Sequence, residues 1–234
     1  MTIFYDFNIA PKEEIIETLE EFNFKGACIF YNSQNYFENE NEIKESFNQL
    51  NESTKLDLHR GIIINQSNPQ LLRKEVQRHY KKVDLIMANG GEEKINRIIC
   101  ETPQIDIINH PYLHKRNSGI NHVLSKLMVE NNITVNINLT DILQHRGYFK
   151  AKILNQINQL LMLQRKYGFK TVLSSGSVSF YDVRSPKSMI LLSQLTDMDM
   201  DYAKKCITQN PLEIIEDITI HKESVVQGVR IIKD

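Results

Sequence analysis

Apolar residues recur along the chain in two alternating rhythms. Short, nearly continuous β-branched runs, of which Gly61-Ile62-Ile63-Ile64 is the plainest, alternate with longer stretches whose apolar positions return every three or four residues. Seven runs read as strands: residues 3–8, 26–31, 61–65, 83–89, 105–109, 134–139 and 171–174. Their nearly unbroken apolar character suits strands covered on both faces, and their alternation with helical stretches predicts β-α units around a parallel sheet. Residues 12–22 place Ile15, Ile16, Leu19 and Phe22 at helical spacing. Residues 151–167 do the same with Ile153, Leu154, Ile157, Leu160 and Leu161, and this helix is expected to stop before Gly168. Pro11 and Pro69 stand near helix starts, where a missing amide hydrogen costs nothing. The polar, Asn/Glu-rich residues 36–55 read as a solvated helix with loose ends. Residues 218–234 either add an eighth strand through Val229 to Ile232 or form a terminal extension, and the pattern leaves both open.

Size narrows the architecture. A chain of 234 residues suits one α/β barrel, so a TIM-barrel-like fold in a single domain over residues 1–234 is expected. With 41% apolar and 24% charged residues, the composition supports a sizeable core. No apolar run approaches the roughly eighteen residues of a membrane span. Residues 1–10 lack the charged start and apolar centre of a signal peptide, so a cytoplasmic protein with no membrane partner is expected. Cys28, Cys100 and Cys206 are odd in number and far apart, which predicts reduced, mostly buried thiols and no zinc ribbon. The net charge of -1 hides an asymmetry. Residues 1–57 carry twelve Asp/Glu against four Lys/Arg, and residues 58–234 carry twenty-four Lys/Arg against seventeen Asp/Glu. Such a division lets a polyanion approach one side of the molecule, although two ordinary solvated faces are the plainer account of the charge counts alone.

In an α/β barrel the functional groups gather where strands run into the following loops. Here those positions are Asn8, Asn32, Asn65, Asn89, His110, Asn138 and the Ser174-Ser175-Gly176 turn, a ring rich in amides and nearly free of charge. Metal-activated hydrolysis needs several His, Asp or Glu ligands converging there, and only His110 offers itself. A lone His before proline reads more readily as a hydrogen-bonded structural residue. Asp6 and Asp106 lie within strands and suit buried acceptors. No Gly-x-Ser-x-Gly elbow, Walker-type loop or Gly-x-Gly-x-x-Gly fingerprint is present. Ser174 to Ser177 is a weak candidate for a phosphate cradle, and a plain strand-to-helix turn explains it as well. No catalytic and no metal-ligating residue is therefore expected, and no cofactor bound by the chain. Basic residues cluster instead at Arg73, Lys74, Arg78, His79, Lys81 and Lys82, at His114, Lys115 and Arg116 beside Asn117-Ser118-Gly119, at His145, Arg146, Lys150 and Lys152, and at Arg184 and Lys187 around Ser185-Pro186. Loops that set Lys or Arg beside Ser, Asn and Gly suit phosphate and ribose contacts; each cluster is a weak signal by itself, and solubilising surface charge explains about half of them.

The run from Asp106 to Val123, Asp-Ile-Ile-Asn-His-Pro-Tyr-Leu-His-Lys-Arg-Asn-Ser-Gly-Ile-Asn-His-Val, followed by Glu130-Asn131-Asn132 and Val135-Asn136-Ile137-Asn138, resembles ribonuclease P protein component 3, the 30-kDa subunit family. Tyr5-Asp6-Phe7-Asn8-Ile9, Ser174-Ser175-Gly176, Asp182-Val183-Arg184-Ser185-Pro186 and Asn210-Pro211-Leu212-Glu213-Ile214 extend the resemblance over nearly the whole chain. It implies a seven-stranded variant of the barrel, akin to the polymerase-and-histidinol-phosphatase metal phosphoesterases. The Asp-x-His-x-His of those enzymes falls here on Asp6, Asn8 and Ala10, and their Gly-x-Glu on Gly61-Ile62-Ile63, so the ligands are missing. The implied function is assistance to a catalytic RNA that removes the 5′ leader of precursor tRNA, with magnesium expected on the RNA. Implied partners are ribonuclease P RNA, precursor tRNA through the holoenzyme, the ferredoxin-like component 2 in a heterotetramer, and further protein subunits. Lys115, Arg116, Arg184 and Lys187 are the leading candidate RNA contacts, with His114 and Lys150 in support, chosen on loop position and charge. A metal-dependent phosphoesterase and a scaffold that binds only its protein partner are the competing expectations.

Overall fold

The computed structural model describes residues 2–113, 117–226 and 229–230, with side chains described as far as residue 218. Seven parallel strands lie in chain order: β1 (Tyr5–Ile9), β2 (Gly26–Asn32), β3 (Asp57–Ile64), β4 (Leu85–Asn89), β5 (Ile107–Asn109), β6 (Thr134–Asn138) and β7 (Thr171–Ser174). An isolated parallel bridge joins Ile9 to Ser177, and the Ala10 amide donates to the Ser177 carbonyl at 2.8 Å. These contacts bring β1 against the end of β7, so the sheet curls into a nearly closed barrel. The seven strands are those the apolar runs predict. β3 starts earlier than its apolar run because Asp57, Leu58, His59 and Arg60 pair in register with Gly26, Ala27, Cys28 and Ile29, a stretch whose polar residues conceal it.

The helices are α1 (Glu13–Glu21), α2 (Ser33–Glu38), α3 (Glu40–Ser53), α4 (Pro69–His79), α5 (Glu93–Cys100), α6 (His122–Glu130), α7 (Leu139–Gln144), α8 (Gly147–Tyr167), α9 (Pro186–Ser193), α10 (Met200–Cys206) and α11 (Gln209–Glu223). Local chemistry sets their ends. Asn68 accepts from the amides of Gln70 and Leu71 while Pro69 occupies the first turn of α4, and α8 stops at Gly168 in the left-handed conformation. The stretch expected as one solvated helix over residues 36–55 is instead α2 and α3, broken at Asn39. Only its outer face is wet: Tyr36 is fully buried, and Ile43 and Phe47 join the core. At the C-terminus, β8 (Ser224–Val226) and β9 (Val229–Arg230) form a separate antiparallel pair. Among the described residues the barrel gains no eighth strand from this region, and residues 231–232 of that expectation lie outside the described residues.

Two apolar clusters hold the fold. One lies between the sheet and the surrounding helices. The other fills the barrel with Tyr5, Phe7, Cys28, Phe30, Leu85, Met87, Ile107 and Val172, joined by Ile214 and Ile218 of α11, which close its base. Burial of each of these isoleucines is worth about 1.5–3 kcal/mol. Phe30 reaches the barrel axis because position 61 is glycine: a Cβ there would overlap the Phe30 ring. The three cysteines are buried free thiols, as expected, and burial pushes Cys100 up to about 12.

Candidate nucleic-acid interface

A register shift in β1 between Asp6 and Ile9 decides what the C-terminal mouth presents. Without it, strict alternation would turn Ile9 inward with Tyr5 and Phe7. With it, Ile9 joins the outer core and Asn8 donates to Asn138 Oδ1 at 2.8 Å. Asn138 is the hub of an amide network. Its Oδ1 also accepts from Asn136 Nδ2 at 3.0 Å and Ser174 Oγ at 2.7 Å, while its Nδ2 donates to Asn109 Oδ1 at 3.0 Å. Asn136 Nδ2 donates to the same Asn109 oxygen at 3.0 Å, and Asn109 Nδ2 donates to Asn89 Oδ1 at 2.9 Å. The mouth is thus roofed by side chains whose donors and acceptors satisfy one another, which fixes their rotamers and fills the space above the barrel core.

His110 stands at the edge of this network. Its Nδ1 lies 3.2 Å from Asn138 Nδ2 and 3.4 Å from Asp141 Oδ2, and Asp141 accepts from the buried Tyr112 hydroxyl at 2.9 Å. The same hydroxyl accepts from the Asn138 amide at 3.1 Å, tying the loop after β5 to β6. Burial, reinforced by the Asp141 charge, pushes the Tyr112 phenol well above its ordinary value, so it stays a donor. The His110 backbone has φ +33, a left-handed conformation disfavoured for a non-glycine residue and more so before proline.

The acidic residue inside β1 serves structure. Asp6 is fully buried, and its Oδ1 accepts from the Ser175 amide at 3.0 Å, bracing β1 against the turn after β7. Burial pushes its carboxyl up to about 6. Asp106 behaves alike: its Oδ2 accepts from the Ile86 amide at 2.7 Å, and burial pushes it up to about 7. Asp6 is the buried strand acceptor expected of it; Asp106 accepts as expected but is only half-buried and stands just before β5. No three His, Cys, Asp or Glu side chains converge to hold a metal ion among the described residues. Neutral amides are poor ligands for divalent transition metals, so this donor set does not fit the multinuclear site of the metal phosphoesterases.

Several expected site residues are placed elsewhere. Asn32 caps α2, accepting from the Gln34 and Asn35 amides, and Asn65 is exposed; neither joins the network. Ser174 to Ser177 is not an open phosphate cradle, because Ser174, Ser175 and Ser177 are buried, the Ser175 amide is held by Asp6 and the Ser177 amide by Ser175 Oγ. His79 leaves the basic cluster: it is 1% exposed, its ring packs edge-on against Tyr36, and burial lowers its pKa. Asn136, Tyr112 and Asp141 escape a reading confined to strand ends, and Asn109, the last residue of β5, was passed over for its neighbour His110. The spacing Asn136-x-Asn138 was the available signal, since a two-residue strand period puts both on one face.

Around the mouth the cationic candidates lie on the segments after β6 and β7. Lys150 sits half-buried in the first turn of α8, and Lys187 is exposed on α9. Arg184 is held over its own turn, Nη1 donating to the Tyr181 carbonyl at 2.6 Å and the Val183 carbonyl at 2.8 Å. His114, Lys115 and Arg116 lie outside the described residues.

The comparisons with known proteins run over this whole architecture. The family described as RNase P subunit p30 matches residues 3–223. Ribonuclease P protein component 3 of Methanothermobacter thermautotrophicus is 30% identical over 236 residues, covering 99% of this chain and 96% of that protein. The Methanosarcina barkeri protein of the same name is 29% identical, with 99% and 96% covered. A chain in the cryo-EM structure of archaeal Ribonuclease P with mature tRNA has a TM-score of 0.80 and 28% identity, with 98% of each chain covered. A histidinol phosphate phosphatase from Lactococcus lactis, solved with zinc, L-histidinol and phosphate, has a TM-score of 0.53 and 10% identity over 92% of this chain and 93% of its own, a likeness of fold alone. Because the family match takes in every strand of the barrel and the loops that carry the amide network, the chain belongs to the RNase P subunit p30 family.

Proposed function

We propose that this chain is a protein subunit of ribonuclease P that binds the catalytic RNA through the loops at the C-terminal mouth and contributes no group to bond cleavage. The observation that carries this reading is the roofed mouth: its inward side chains are spent on one another, while Lys150, Arg184 and Lys187 lie on the segments just outside. Lys115 and Arg116, with His114, extend the cationic set by sequence position. In this reading the RNA and its magnesium ions cleave precursor tRNA to leave a mature 5′ end. The protein offsets phosphate repulsion and holds the RNA in its active geometry, paired with component 2 in a two-plus-two assembly with further subunits. The acidic sector formed by residues 1–57 turns toward protein or solvent. A cytoplasmic location is consistent with the lack, among the described residues, of any helix long and apolar enough to cross a membrane.

Reconstitution tests the proposal. Omitting the chain from a mixture of the RNA and its partner proteins lowers precursor-tRNA cleavage at moderate magnesium. Charge reversal at Lys150, Arg184 and Lys187 weakens RNA binding and reduces its salt slope by roughly 0.7–0.9 for each phosphate that the protein ceases to neutralise. Unchanged cleavage on omission, or stoichiometric bound metal with phosphatase turnover by the purified chain, would overturn it.

A further inference from the structure

Two pairs of aromatic rings stand in water beside the mouth. Tyr148 and Phe149 open α8 with 77% and 64% of their surface exposed, and Phe180 and Tyr181 occupy the 3-10 turn after β7 at 40% and 75%. Rings left this open add little to the core, and exposed paired rings call for a partner. Within each pair the rings brace each other: Tyr148 and Phe149 meet edge-on with centroids 5.9 Å apart, and Phe180 and Tyr181 lie 3.9 Å apart at 34°. The segments that carry them follow β6 and β7, which are neighbours in the sheet, and the adjoining helices α7 and α9 pack against each other.

Cations interleave with these rings. Arg146 and Lys150 flank the first pair, and Arg184, fastened to the Tyr181 carbonyl, together with Lys187 follows the second. Of the carboxylates nearby, Asp182 accepts from Ser179 and Asp141 from Tyr112, whereas Glu13, Glu14 and Glu17 of α1, which packs against the 3-10 turn, are exposed. A surface built for an apolar protein segment looks different. The groove formed on this same molecule by Phe4, Phe22, Pro186, Ile190, Leu191 and Met200 sets aliphatic side chains beside its rings, with Lys187 and Lys204 also in its lining.

We propose that Tyr148-Phe149 and Phe180-Tyr181 form a stacking platform for unpaired RNA bases, with Arg146, Lys150, Arg184 and Lys187 holding the flanking phosphates. The inference rests on the RNA-binding reading above and specifies what the mouth binds: single-stranded nucleotides with faces free to stack, with little dependence on sequence.

The chain has no tryptophan, so Tyr148→Trp and Tyr181→Trp each place a single reporter at one pair. The full chain, assembled with its partner subunit, is titrated with a polyadenylate strand of about 12 nucleotides and with an RNA duplex of matching length. Quenching of either tryptophan by the strand, with little change from the duplex, is the expected result. Tyr148→Leu and Tyr181→Leu keep apolar bulk but lose the π face, and each weakens strand binding by roughly five- to 100-fold at an unchanged salt slope. If the wild-type assembly binds the strand and the leucine variants bind it equally well without quenching of the reporters, the platform is overturned and RNA binding stands. If the assembly binds neither probe nor ribonuclease P RNA, both fall. If the leucine variants lose the partner subunit while retaining RNA, the rings are a protein contact and the platform is overturned.

Discussion

Replacing Asn138 by alanine tests whether the amide network holds the mouth together. The change removes three bonds accepted by Oδ1, from Asn8 at 2.8 Å, Asn136 at 3.0 Å and Ser174 at 2.7 Å, one donated by Nδ2 to Asn109 at 3.0 Å, and the 3.2 Å contact of Nδ2 with His110 Nδ1, which keeps Asp141 as a neighbour. The surviving partners do not lose equally. Asn136 Nδ2 still reaches Asn109, and Ser174 Oγ still reaches Asn136, so each keeps one partner; Asn8 Nδ2 keeps none among the described residues, but it is half-buried and open to water. Counting about 1 kcal/mol for each bond that is lost outright, and less for donors that retain a partner or regain water, gives a cost of about 3 kcal/mol. For a chain of this size that corresponds to a fall in Tm of roughly 6–12 °C. Urea unfolding followed by circular dichroism is the assay, with Asn65→Ala, an exposed asparagine just after β3, as the control expected within about 0.5 kcal/mol of wild type. A cost below about 1 kcal/mol at an unchanged m value, or one equal to the control, would refute the network as a structural unit.

Asp6 and Asp106, pushed by burial up to about 6 and about 7, retain protons in the fold that the unfolded chain has released above roughly pH 4. The fold therefore binds more protons than the unfolded chain between about pH 4 and 7, and these two residues make stability fall as pH rises through that window. Asp6→Asn removes its share, so the variant gains on wild type by on the order of 2 kcal/mol from pH 4 to pH 8; parallel urea curves at the two pH values check this, and a gain that shrinks with pH contradicts it. Gly176 has φ +70, and a Cβ there would overlap the Thr140 hydroxyl, so Gly176→Ala costs about 2 kcal/mol in urea unfolding, and a Thr140→Ala background recovers part of it in a double-mutant cycle. Ile214→Ala opens the base of the barrel and costs about 2–4 kcal/mol by the same measurement, because α11 closes that end with this side chain and Ile218.

The barrel was legible because its strands are covered on both sides, and strands of that kind announce themselves as unbroken β-branched runs such as Gly61 to Ile64. Polar strand starts were not, since Asp57 to Arg60 pair with β2 through backbone groups that side-chain pattern does not report. The amide character of the mouth could be read from Asn8, Asn89, Asn138 and His110. Its connectivity could not, because the β1 register shift and the approach of Asp141 and Tyr112 are tertiary events. Helix composition misled for the same reason. Tyr36 and His79 sit among Asn, Glu, Arg and Lys in sequence, yet the α2–α4 faces that carry them turn inward and pack ring on ring. The exposed aromatic pairs had no sequence signal at all: the pattern around Tyr148-Phe149 does not mark these rings, and their 77% and 64% exposure emerges only when the loops are placed.

Single-turnover cleavage of precursor tRNA by the reconstituted ribonucleoprotein, carrying either wild-type chain or His110→Gln, tests the central claim most directly. His110 is the one imidazole in contact with the amide network among the described residues, and it sits 3.4 Å from Asp141, which makes it the side chain there best placed for proton transfer if the protein took part in the chemistry. At saturating magnesium and protein, the cleavage rate constant of the His110→Gln assembly stays within about threefold of wild type. A fall of about 100-fold or more with assembly intact, the loss typical when a general acid or base is removed, would contradict a protein that acts through contact alone.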